Sequence, residues 1–448
     1  MAVYGAFQQE NAFMKKSFRT LASWLALFSA AIGGLLFLKN KLPGGFALWI
    51  PKLMAGALTP FALLAGAAGA VFGMLVGVPM AVLAGIFGTA ASARFLNRAT
   101  ASHDGFEIAF GPDWERQIPP ERRSRLLAQR WTWKLAPSPE PGLQKDIAFW
   151  TIPGTDRQLL CDLWLPPAGL ASTGLALIYF HGSAWVMLDK DFGTRTFFRH
   201  LAGQGHVVMD VAYRLSPETG MDGMVGDVKR SIAWLKAHAA EYSVNPERIV
   251  LCGGSAGGHL AMLAAYAPTK PELTPQDVRH ANLTVRAVIS EYGLSDLRAC
   301  YFHTHQDKSI ARVKPQPAAA TEPPAFLMRM LGKNYQRLGF DKGADAGSFK
   351  MILGGTPEEV PEKYALYSPI NYVHPGCPPT LLIQGEDDLI TSVDATRLLY
   401  QRLVEAGVPA VNVVFPQTDH GFDLALPEIS PTAQSALYDI DRFLALMV

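Results

Sequence analysis

Charge is what this chain has least of, and its scarcity is uneven. Asp, Glu, Lys and Arg make up 18% of the sequence and the net charge is +1, against about 25% charged residues in an average globular chain. A near-neutral chain has no global field to steer nucleic acid or acidic substrates, so nucleic acid is excluded as an expected partner. Between Lys52 and Arg94 there is no charged residue at all. Cysteine is also scarce. Cys161, Cys252, Cys300 and Cys377 form no CxxC pair and no Cys/His cluster of zinc spacing. A zinc site is thereby excluded, and the four read as free, structural thiols. No internal repeat is visible.

What fills the charge-free region is apolar. Thr20–Leu38 carries no charge and is flanked by Lys15, Lys16 and Arg19 before it and by Lys39 and Lys41 after it. A secretory signal has an apolar core of roughly 7–15 residues, so the length fits a membrane-spanning helix better. A second apolar run covers Leu53–Ala93. As one helix, at ~1.5 Å per residue, it would reach about 60 Å, twice the ~30 Å of a bilayer core. A helical hairpin is the better reading. Ala65, Gly69, Gly73, Gly77, Ala81 and Gly85 recur at four-residue spacing, a small-residue stripe that permits close helix contact in lipid. A buried soluble helix and an uncleaved signal are the competing readings. Three spans would put the two ends of the block on opposite sides. Arg94 and Arg98 at its far end match the basic residues at its start and favour the same side for both. Sidedness stays open.

The expected organisation is therefore a membrane anchor over 1–100, with spans near 20–38 and a hairpin within 53–93. A polar and basic linker over 101–145 follows, and then a catalytic domain over 146–448 with a lid or cap insertion at about 298–360. In the last part, strand patterns alternate with amphipathic helices. The predicted strands are Asp146–Ile152, Leu159–Leu165, Ala176–Phe180, Val207–Ala212, Ile249–Cys252, Val285–Ser290, Thr380–Ile383 and Val411–Phe415. Early strands without helices, then alternation, predict an α/β fold: a mixed, largely parallel sheet with helices on both faces.

Four motifs sit at the ends of those strands. Gly253-Gly254-Ser255-Ala256-Gly257-Gly258 follows the strand Ile249–Cys252 and precedes a helical pattern. Strand, sharp turn and helix put a serine on a strained elbow, where flanking glycines avoid clashes. An incidental serine in a Gly-rich turn is the plainer reading, and the context argues against it. His181-Gly182-Ser183-Ala184-Trp185 follows Ala176–Phe180, and its backbone N–H groups at Gly182 and Ser183, with that of Ala256, are candidate oxyanion donors. His181 reads as a brace for that loop. Gly385-Glu386-Asp387-Asp388 and Asp419-His420-Gly421-Phe422 follow the last two strands. A serine nucleophile needs an imidazole base, and the base needs a carboxylate to set its tautomer. Ser255, Asp388 and His420 are the candidates, with Asp387 as the reserve acid.

His181-Gly182-x-x-Trp185, Tyr213-Arg214-Leu215-x-Pro217-Glu218 and Gly253-x-Ser255-Ala256-Gly257-Gly258 together resemble the hormone-sensitive-lipase-like esterase/lipase family, in its HGGxW branch. The resemblance covers about Asp146 to the carboxyl terminus. It implies the α/β-hydrolase fold, carboxylic-ester hydrolysis by a Ser–Asp–His triad at Ser255, Asp388 and His420, and no cofactor. Arg214 and Glu218 match a structural part of the pattern. The family's second glycine is Ser183 here, which lacks glycine's freedom in the turn. A second departure is the long stretch before Tyr367-Ser368-Pro369. Within it Ala325–Leu338 reads as a basic amphipathic helix, either a packed cap or a lid that touches the bilayer. The expected activity is a membrane-anchored esterase or lipase whose partners are an ester substrate, lipid esters among the candidates, and the bilayer. Amide or formamide hydrolysis, lipid acyl transfer, and a catalytically dead tethered binding protein are the alternatives.

Overall fold

The computed structural model describes residues 2–39, 48–182, 184–306 and 347–448. The amphipathic segment Ala325–Leu338 lies outside the described residues, as does Ser183.

Eight strands form one sheet: β1 (Gly142–Thr151), β2 (Gln158–Leu165), β3 (Ala176–Phe180), β4 (Val207–Val211), β5 (Ile249–Gly254), β6 (Ala287–Glu291), β7 (Thr380–Gly385) and β8 (Ala410–Phe415). Their spatial order is β1-β2-β4-β3-β5-β6-β7-β8. β1–β2 and β2–β4 pair antiparallel, and every other neighbouring pair is parallel. Side chains alternate between faces along each strand, and two cores result. Ile178, Met209, Leu251, Val288 and Leu382 point to one, under the helices Met221–Ala237, Ala256–Tyr266 and Val393–Glu405. Leu177, Val208, Val250, Ile289 and Leu381 point to the other, under the helices Arg195–Gly203 and Pro431–Met447. Burial on both faces is why the central strands read as continuous apolar runs. All eight expected strands form, within a few residues at each end. The four cysteines are free and buried.

Ahead of the sheet stand three long helices: α1 (Ala2–Phe37), α2 (Trp49–Val76) and α3 (Pro79–Ala99). The segments Phe13–Phe37, Trp49–Val76 and Pro79–Ala99 are each long and apolar enough to cross a membrane. α2 and α3 form the hairpin that the length of the apolar run requires. The small-residue stripe is not one continuous seam, because Gly77 caps α2 in the left-handed region (φ 68°) and supplies the turn. On either side of it the small residues work as contacts. A Cβ on Gly69 would lie 2.7 Å from the backbone N of Ala26, and one on Gly85 would lie 2.5 Å from the Gly66 carbonyl oxygen. Leu27, Leu64, Leu75, Leu83 and Trp24 point outward and are exposed.

The linker expected over 101–145 is instead packed on the sheet domain. Phe106 is buried in the second core. Arg130 makes two bonds to Asp439, of 2.9 and 2.7 Å, on the last helix. Part of the polar composition that suggested a linker is spent on such ion pairs, as in Glu140 with Arg199. The insertion's described ends are packed too: Tyr301 and Phe349 are buried beside Tyr364 in the first core.

Candidate active site

β5 runs into the helix Ala256–Tyr266 with Ser255 alone at the junction. Its backbone has φ 53° and ψ −121°, a conformation that costs a non-glycine residue energy and persists only when its surroundings enforce it. They do so here by crowding. The Ser255 N–H donates to the Glu291 carbonyl at 2.9 Å. A Cβ on Gly257 would lie 1.8 Å from the Phe180 carbonyl oxygen, so only glycine lets the elbow close onto β3.

The loops after β7 and β8 bring two more groups to this point. His420 Nε2 is 2.9 Å from Ser255 Oγ, and His420 Nδ1 is 2.9 Å from Asp388 Oδ2. Asp388 is buried (4% exposed), and its own loop supplies what water would have given. Oδ1 accepts the N–H groups of Ile390 and Thr391 at 2.8 and 2.7 Å. Oδ2 accepts from Gln384 Nε2 and Thr391 Oγ1 at 2.7 and 2.8 Å. Both carboxylate oxygens are thus hydrogen-bonded within the protein. His303 Nε2 lies 2.9 Å from the Asp388 carbonyl oxygen. The neighbouring Asp387 turns the other way. Its Oδ2 is 2.9 Å from Nζ of Lys52 on α2.

Gly182 lies against the elbow. A Cβ there would be 3.3 Å from Ser255 Cβ. Ala256 opens the helix, where the first N–H groups have no intrahelical acceptor. Ser183, the third expected oxyanion donor, lies outside the described residues. His181 stacks on Tyr213 at 4.6 Å between ring centroids, and Tyr213 Oη donates to the His181 carbonyl at 2.8 Å. Burial pushes the His181 pKa down to about 4, which keeps the ring neutral beneath the loop. Arg214 makes a bidentate pair with Asp227, at 2.8 and 2.7 Å. Glu218 pairs with Arg157.

Tyr292 packs edge-on to His420 at 4.6 Å and donates to Asp423. Burial raises the Asp423 pKa. Burial first, and the nearby Asp388 second, push the Asp419 carboxyl up to about 7. A cavity of about 570 Å³ lies behind the acid loop, lined by Leu36, Arg94, Arg98, His303, Asp387 and Asp388. It does not reach Ser255. Among the described residues no group of His, Cys, Asp and Glu is arranged to hold a metal.

The sequence motifs did not reveal Lys52, Trp49, Gln384, Thr391 or His303. The first had a signal: a lone lysine at the head of an apolar run is costly unless something pairs with it. The rest stand in positions that only the folded loops define.

A hydroxyl bonded to an imidazole, itself bonded to a buried carboxylate, on an elbow after a parallel strand, is an arrangement suited to acyl transfer. Fold and site define the class as an α/β-hydrolase. The BD-FAE profile matches residues 161–403, more than half of the chain, and the chain belongs to that family. Its relatives agree with the hormone-sensitive-lipase-like resemblance. It is similar to the probable carboxylic ester hydrolase LipM of Mycobacterium tuberculosis, with 29% identity over 63% of this chain and 57% of LipM. It is also similar to the esterase LipQ of the same organism, with 27% identity over 79% of this chain and 76% of LipQ. The chain thus spans little more than half of LipM. A bifunctional GH43-CE from Bacteroides eggerthii shares the fold, with a TM-score of 0.51 and 20% identity over 68% of this chain and 38% of that one.

Proposed function

We propose that this chain is a membrane-anchored carboxylic ester hydrolase that works through an acyl-enzyme on Ser255. The observation that carries the reading is the unbroken relay from Ser255 Oγ through His420 to Asp388, with both contacts at 2.9 Å. Ser255 attacks the ester carbonyl while His420 takes its proton. The developing oxyanion is met by backbone N–H groups at Gly182 and Ala256, with Ser183 the third candidate. His420 returns the proton to the leaving alcohol, and water then releases the acid by the same steps in reverse. Asp388 holds the imidazole in the tautomer that presents Nε2 to the serine. LipM and LipQ, named as a carboxylic ester hydrolase and an esterase, support the substrate class.

The three long helices are the anchor in this reading. Many of their outward side chains are large and apolar, Leu27, Leu64, Leu75 and Leu83 among them, and such a surface is favoured in lipid and a liability in water. The catalytic loops sit at the amino end of α2, which brings the reaction close to the bilayer surface and favours esters dissolved in it.

The test is a panel of p-nitrophenyl esters and a fluorophosphonate probe applied to the full chain in detergent or nanodiscs. Ester turnover together with probe labelling is expected. Silence to both would favour a tethered binding protein. Resistance of the chain to extraction from membranes by alkaline carbonate is expected as well, and release into the soluble fraction would remove the anchor from the account.

A further inference from the structure

The amino end of α2 does more than enter the bilayer region; it is inserted between the two loops that carry the acid and the base. Lys52 is 2% exposed. Its Nζ lies 2.9 Å from Asp387 Oδ2 and 3.9 Å from Asp419 Oδ2. Asp387 immediately precedes Asp388, and Asp419 immediately precedes His420. One ammonium thus faces both catalytic loops, each through the residue next to the functional one. Asp419 also links the loops directly. Its Oδ1 accepts the N–H of Leu389 at 3.1 Å and that of His420 at 2.8 Å. One helical turn away, on the same side of α2, Trp49 Nε1 donates to the His420 carbonyl at 2.8 Å. Its ring lies 6.4 Å from the imidazole.

We propose that Lys52 is a positioning residue for the reaction: it holds the acid loop and the base loop in register through Asp387 and Asp419, so the amino-terminal hairpin is part of the active-site machinery and not only a tether. The inference deepens the proposed function and rests on it. The physical ground is that a buried ammonium is tolerated only with its partners in place. Both carboxylates come from the catalytic loops, so moving either loop away from α2 strands a charge. Lys52 acts on the reaction through these loops, and its effect is therefore on geometry. Misplacement of reacting groups by about 1 Å can cost ~10²-fold in rate.

The carboxylates differ in what losing Lys52 would do to them. Asp419 already lies near neutrality in its pKa, at about 7, through burial and the nearby Asp388, and can take up a proton. Asp387 is the partner in direct contact, and without Lys52 it becomes an uncompensated charge beside Asp388. Lys52→Met should therefore lower kcat by about 10²-fold and change KM little, with the fluorophosphonate labelling rate falling in parallel. Adding Asp387→Asn to Lys52→Met should recover about tenfold of that loss, which a merely structural packing role would not predict, since the second change fills no space.

The experiment is kcat, KM and labelling rate for full-length wild type, Ser255→Ala, Lys52→Met and Lys52→Met with Asp387→Asn, each checked for a cooperative thermal transition. A folded Lys52→Met with wild-type kcat, or no recovery in the double variant, overturns the inference. If Lys52→Met does not fold, Trp49→Phe decides. It keeps an aromatic ring and removes the N–H to His420, and a several-fold fall in kcat at constant KM is expected, while an unchanged kcat overturns the inference. Failure of the hydrolase reading itself looks different: the wild type would not be labelled or would turn over esters as well without the Ser255 hydroxyl.

Discussion

The amino-terminal bundle and the hydrolase sheet solve the same packing problem with opposite surfaces. In the sheet domain, helices cover both faces, and charged side chains pair at the periphery, as Arg230 does with Asp277. In the bundle, glycines and alanines let the helices touch, and many large apolar side chains are left outside. Where the two meet, the pattern of each is broken. The bundle sends a lysine inward at Lys52, and the sheet domain answers with Asp387 and Asp419. Gln417 Nε2 also donates to the Leu36 carbonyl at the end of α1, at 3.2 Å. The contrast teaches that the boundary between the amino-terminal helices and the sheet domain is a polar, buried joint placed at the loops after β7 and β8.

The sharpest way to break the comparison is within one pair of adjacent residues. Asp388 faces His420 and Asp387 faces Lys52, so their amides should have unequal effects. Asp388→Asn is expected to cost about 10⁴-fold in kcat, because the amide favours the wrong imidazole tautomer. Asp387→Asn should cost about tenfold, by loosening the joint. Steady-state kinetics on one short ester measures both, and a reversed ranking would mean that the wrong carboxylate has been assigned to the base.

A smaller effect is expected from within the bundle. Gly88→Leu would drive its side chain into the Ser29 backbone, whereas a Cβ on Gly34 meets nothing within 4 Å. Overpacking costs about 1–3 kcal/mol, so Gly88→Leu should lower the midpoint of thermal inactivation while kcat at low temperature changes little. Gly34→Leu should do neither. Equal effects of the two would mean that the bundle is not packed as described.

An effect that grows with acidity lies in the sheet domain, at His206. Burial first, and Arg122 second, depress its pKa to about 3, below the ~6.5 of an unfolded chain. Between those values the unfolded state binds a proton that the folded state refuses, so this residue's contribution destabilises the fold as pH falls from about 6.5 toward 3. Compared with His206→Gln, the wild type should lose roughly 1 kcal/mol more per pH unit over that range. Chemical unfolding at pH 6 and pH 4 measures the difference, and parallel curves would contradict it.

Most of the sheet was legible because its strands are short apolar runs bounded by Gly, Pro and Asp, and because the Ser255, Asp388 and His420 motifs follow strands in the order that this fold uses. Three things were not. Gly77 carries the same letter as Gly69 and Gly73 in the stripe, and only its left-handed backbone makes it a turn. Residues 101–145 have a linker's composition, and Phe106 or Arg130 reveals its burial only once β8 and the last helix are in place. The role of Lys52 depends on partners 335 residues away or more, a separation across which no local pattern carries information.

The most direct measurement on the central claim is where a fluorophosphonate attaches. The full-length protein, labelled in nanodiscs and digested, should carry a single adduct on the peptide containing Ser255, and Ser255→Ala should carry none while remaining folded. An adduct on another residue, or undiminished labelling of Ser255→Ala, would contradict the account.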